Sequence, residues 1–103
     1  MESMFDSCKE LEFLDLSNFD TSNVTSFKAI FSRCHKLKEI KGIHNFNTIN
    51  VTNMDGLFTE YYELKELDLS KFDTSNVENM RFMFNECYKL KEIKGIIFLI
   101  LIM

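Results

Sequence analysis

Two eleven-residue phrases in this chain nearly coincide. Leu14 to Val24 reads LDLSNFDTSNV and Leu67 to Val77 reads LDLSKFDTSNV, differing at Asn18 against Lys71. A second phrase, CHKLKEIKGI from Cys34 to Ile43, returns as CYKLKEIKGI from Cys87 to Ile96, with His35 against Tyr88. Both echoes fall 53 residues on. A shorter period lies beneath them. Phe5, Phe31, Phe58 and Phe84 are spaced by 26, 27 and 26 residues, and Leu11, Leu37, Leu64 and Leu90 keep the same intervals. So do Leu14, Ile40, Leu67 and Ile93. Self-similarity at a fixed period of roughly 20 to 50 residues marks a chain that stacks equivalent units, none of which buries its apolar face alone.

The pattern inside one unit sets the expected elements. In KELDLS, Leu67 and Leu69 alternate with polar residues, as in a short strand with one face inward. FDTSN then supplies turn and cap residues. From Val77 onward, Met80, Met83, Phe84 and Cys87 recur at steps of three and four, the spacing of one helix face. Ser75 followed by Glu78 fits a capping box at that helix start. The expected fold is therefore α/β: short parallel strands on one side, short helices on the other, about 26 residues per coil. Residues 1–95 hold the repeats, and the apolar IIFLILIM at 96–103 reads as a last strand or an aberrant end.

LEFLDLSNF, from Leu11 to Phe19, resembles a leucine-rich repeat, so the expected architecture is a leucine-rich-repeat-like solenoid. The longer phrase FDTSNVxxMxxMFxxCxxLKEL, carried by Phe72 to Val77, Met80, Met83, Phe84, Cys87 and Leu90, resembles the BspA-like leucine-rich repeat surface proteins. That resemblance implies a cell-surface or secreted chain that binds host or matrix proteins in adhesion. Two departures stand out. Tyr61 replaces the Cys of the other units, and Gly42–Ile43 brings one extra residue before Phe46. Met1, Met4 and Phe5 fall in register with Met80, Met83 and Phe84, so the chain starts part-way through a unit. The expectation is a piece of a longer array, or a remnant starting at an internal Met, with open ends prone to self-association.

Composition narrows the function classes. A net charge of −4 and a pI near 5.1 give no electrostatic reason to expect nucleic acid. Cys8, Cys34 and Cys87 form no CxxC pair, which argues against zinc and favours small buried hydrophobes. The N-terminal MESMFDSCKE lacks the apolar stretch of a secretory signal. The eight-residue apolar end is well short of the roughly 20 residues a membrane-spanning helix needs. His35 and His44 have no partner at helical spacing, and no phosphate loop, HExxH motif or nucleophile–base pair occurs, so neither an enzyme nor a cofactor is expected.

The candidate partner-binding face is the outward side of the strands. Asp15, Lys41, Asp68 and Lys94 occupy one column, which reads first as a cross-strand charge ladder. Glu12, Glu39, Glu66 and Glu92 lie beside it. Asp20, Asn47 and Asp73 form a further column suited to turn and cap duty rather than calcium. Asn23-Val-Thr25 and Asn50-Val-Thr52 match the glycosylation acceptor pattern but arise from the repeat phrase. The function expected is a non-catalytic protein-binding module. A structural spacer and an intracellular leucine-rich interaction protein are the alternatives.

Overall fold

The computed structural model describes residues 2–95; the expectations for Met1 and for the 96–103 end fall outside them. Four three-residue strands form where the alternation predicts: β1 (Phe13–Asp15), β2 (Glu39–Lys41), β3 (Glu66–Asp68) and β4 (Glu92–Lys94). β1 pairs in parallel with β2, setting Leu14 beside Ile40, and β3 pairs in parallel with β4, setting Leu67 beside Ile93. The middle residue of each strand turns inward and its neighbours face out.

The leucine-rich-repeat-like solenoid does not form. The described residues hold two separate two-stranded sheets, one 3-10 turn at Ile43–Asn45, and no α-helix. The reason lies in the backbone of the segments expected to be helical. Their amides bond to the next unit instead of to carbonyls four residues back. Phe5 N donates to Ile30 O at 2.9 Å, Phe31 N to Leu57 O at 3.3 Å and Phe58 N to Met83 O at 3.0 Å. Arg33 N donates to Thr59 O and Glu60 N to Asn85 O in the same way. Pairs of left-handed residues four apart punctuate each segment: Ser3 and Ser7, Ala29 and Arg33, Gly56 and Glu60, Phe82 and Glu86, with φ between 55° and 64°. A right-handed helix cannot run through such residues. The apolar steps of three and four are those of successive tight turns. The capping box is absent too, because Ser75 gives its amide and hydroxyl to Asp73, and Glu78 N goes to Thr52 O at 2.7 Å.

The core lies between the strands and these turns. Phe27, Phe31, Leu37, Met54, Phe58 and Leu69 are fully or almost fully buried. Phe5, Phe31, Phe58 and Phe84 form one file of nearly parallel rings, with centroids 5.9, 5.9 and 5.7 Å apart. Such pairs contribute about 0.5–1.5 kcal/mol each beyond area burial. Tyr61 takes the Cys position beside this file, and its buried hydroxyl has no hydrogen-bond partner among the described residues. Cys34 is buried, and burial pushes its thiol up to about 12. Two buried threonines clasp adjoining units. The Thr21 hydroxyl accepts from Asn47 N at 2.8 Å and donates to Asn47 O at 3.1 Å, and Thr48 treats Asp73 likewise at 2.7 and 3.1 Å.

The 53-residue echo now has a structural meaning. Each LDLS segment lies against an IKG segment, with Gly42 over the backbone of Ser17 and Gly95 over that of Ser70. A Cβ on Gly42 would fall 2.5 Å from Ser17 Cα, and φ is +91° there. Only glycine permits both the close approach and the dihedral.

Candidate functional site

The outward strand residues share one face. Phe13 lies opposite Glu39 and Asp15 opposite Lys41; Glu66 lies opposite Glu92 and Asp68 opposite Lys94. All are exposed, as is Glu12. The structure therefore gathers the candidate residues into two groups, one on each sheet. It does not join them into a continuous ladder.

The charge ladder is weaker than its register suggests. Asp15 and Asp68 turn their carboxylates to the next turn. Ser17 donates amide and hydroxyl to Asp15, and Ser70 donates both to Asp68 at 3.0 and 2.6 Å. These serines, more than Lys41 or Lys94, hold both carboxyl groups below the usual Asp range. Asp20 and Asp73 are held low in the same manner by Ser22 and Ser75. Ion pairs form instead in flanking columns: Glu10–Lys36 at 2.7 Å, Glu12–Lys38 at 3.1 Å and Glu63–Lys89 at 2.8 Å. Exposed pairs of this kind are screened by water and add little to stability. Glu39, Glu66 and Glu92 form no ion pair among the described residues.

A groove opens where the two sheets meet. No backbone hydrogen bond joins β2 to β3, and their Cα atoms mostly stand more than 8 Å apart. The space measures about 530 Å³, with Ile40, Ile43, Leu64 and Leu67 as its apolar floor. Glu39, Glu66, Asp68, Glu92, Lys38, Lys94 and His44 make the rim. Its volume lies within the roughly 300–1,000 Å³ of ligand pockets. The extra residue of the second unit explains the break. Gly42 turns the chain left-handed into the 3-10 turn, and Ile43 and His44 enter the groove wall.

A second surface feature escaped the sequence reading. His35 stacks on Tyr62 with centroids 4.4 Å apart, and Tyr62 on Tyr88 at 5.4 Å. Glu60 joins them, 3.3 Å from His35 Nε2 and accepting from Tyr62 at 3.0 Å, while Tyr88 donates to Glu86 at 2.8 Å. The Glu60 carboxylate, foremost, lifts the Tyr62 hydroxyl to about 12. The signal was present in the columns, since positions 35, 62 and 88 share the 27- and 26-residue spacing. It runs between units rather than along a helix.

One asparagine of the acceptor patterns, Asn50, has structural work. Asn50 Nδ2 donates to Ser22 O at 2.8 Å, and its counterpart Asn76 Nδ2 to Ile49 O at 2.6 Å. Among the described residues no group of three or more His, Cys, Asp or Glu is arranged to hold a metal ion, and no helix is long and apolar enough to cross a membrane.

No curated protein and no solved structure matches the chain. The family model described as "Mycoplasma protein of unknown function, DUF285" matches residues 1–95, and the chain belongs to that family.

Proposed function

We propose that the chain is a non-catalytic protein-binding module whose outward strand face, centred on the groove between β2 and β3, meets a protein partner. The observation that carries this reading is the groove itself. It combines an apolar floor with a charged rim on which Glu39, Glu66 and Glu92 form no ion pair among the described residues, a composition suited to a specific interaction surface. Glu39, Glu66 and Glu92 are exposed and form no ion pair among the described residues, so a partner can engage them without first breaking internal ion pairs. The resemblance to BspA-like surface proteins directs the search for that partner to host and matrix proteins.

The test is a comparison of two immobilised proteins, the native chain and a Glu39→Lys/Glu66→Lys/Glu92→Lys variant, each exposed to candidate partner proteins. The exposed positions leave the fold intact, checked by identical circular dichroism. A partner retained by the native chain and lost from the variant supports the reading. Equal retention by both places binding away from the strand face and refutes it, and retention by neither leaves the role of a spacer.

A further inference from the structure

We infer that the groove between β2 and β3 receives an extended, basic peptide segment, which enters as an added strand between the two sheets. This deepens the protein-binding reading above and rests on it. Each sheet has two strands, so β2 and β3 each present an edge to the groove that the other does not satisfy. Edges of this kind take up extended peptides through main-chain hydrogen bonds, while alternate side chains set specificity. Three-residue strands, at about 3.3 Å per residue, engage only three or four residues of such a segment.

Charge selects the occupant. The rim carries Glu39, Glu66, Asp68 and Glu92 against Lys38, Lys94 and His44, and Lys38 is already paired with Glu12. Glu39 on β2 and Glu66 on β3 flank the groove, so a cation carried by a strand between them meets both, and it also offsets the unfavourable register of Glu66 opposite Glu92. Asp68 stays ionised because Ser70 binds its carboxylate. In an extended segment, side chains alternate between the two faces. Apolar residues at one set of positions meet Ile40 and Leu67, and Lys or Arg at the other set meets the glutamates.

The probe is a fluorescein-labelled Lys-Val-Lys-Val-Lys peptide, titrated into the full chain and followed by fluorescence anisotropy. Two companions accompany it: Glu-Val-Glu-Val-Glu, and the basic peptide with N-methylated backbone amides. The basic peptide is expected to bind at least tenfold more tightly than either companion. Glu66→Gln/Glu92→Gln should weaken it at least tenfold, while Glu10→Gln, outside the groove, leaves affinity unchanged. Equal binding of the N-methylated peptide overturns strand addition, and equal binding of the acidic peptide overturns the charge argument. Should a protein partner depend on Glu39, Glu66 and Glu92 while the basic peptide fails to bind, this inference falls and the protein-binding reading stands. Failure of both experiments removes both.

Discussion

Substituting Gly56 by alanine separates the turn architecture from a helix by the sign of one stability change. Gly56 sits at φ +63° in the segment between Met54 and Tyr61, where the apolar spacing suggests a helix. The nearest atom to an added Cβ is Thr59 Cγ2 at 3.9 Å, an ordinary contact, so the methyl group has room. What remains is the backbone. A non-glycine residue in the left-handed region costs about 1–2 kcal/mol. Loss of glycine's freedom in the unfolded chain returns about 0.4–1 kcal/mol. The net expectation for Gly56→Ala is a loss of about 1 kcal/mol, or roughly 4–8 °C in melting temperature for a domain near this size. In a helix the same change would add about 1 kcal/mol. Urea and thermal unfolding, followed by circular dichroism, measure the difference. A raised melting temperature would refute the left-handed turn and restore the helix.

Other changes follow from the packing and the turns. Gly42→Ala should destabilise by about 2–4 kcal/mol, since its Cβ meets the Ser17 backbone at 2.5–2.6 Å as well as an unfavourable φ; a urea midpoint unchanged from the native value would count against the close packing of the IKG and LDLS segments. Tyr61→Phe removes a buried hydroxyl that has no partner among the described residues and should raise stability by about 1 kcal/mol, seen as a higher thermal midpoint. For Asp15, Asp20, Asp68 and Asp73 the folded carboxyl groups titrate below the unfolded range, so the unfolded chain takes up protons first. Their stabilising contribution is complete above the unfolded Asp value of about 3.9 and is lost as pH falls through the folded values. Replacing Ser17, Ser22, Ser70 and Ser75 by Ala should flatten that acid limb in unfolding curves recorded as a function of pH.

The strand positions and their register could be read from the sequence because both depend on repetition. Leu14 beside Ile40 and Leu67 beside Ile93 are column neighbours in the alignment and sheet neighbours in space. The file of Phe5, Phe31, Phe58 and Phe84 follows from the same columns. The expected helices are absent for a physical reason. Residues at steps of three and four line one side of a helix, but they also line one side of consecutive tight turns. Composition concealed the left-handed positions, since one column reads Ser3, Ala29, Gly56 and Phe82, and one glycine in four gives little warning. Within the candidate site, the register of Asp15 with Lys41 was foreseeable. The preference of Asp15 for Ser17 was written in the LDLS phrase, yet local bonds to a residue two along are easily overlooked beside a more obvious opposite charge.

Why the groove lies between β2 and β3, rather than between the paired strands, follows from the long echo. An LDLS segment followed by an IKG segment packs closely because glycine admits the serine backbone beneath it, at Gly42 and again at Gly95. The succession from IKG to LDLS has no such glycine contact. Its extra residue forms the Ile43–Asn45 turn, and its units are clasped lower down by Thr48 and Asp73. Close pairing and looser junction must therefore alternate along the chain with the two kinds of unit. The 53-residue period thus records more than duplication. It sets where strands pair, where the edges stay open, and where charges such as Glu66 and Asp68 line a cavity instead of a continuous sheet.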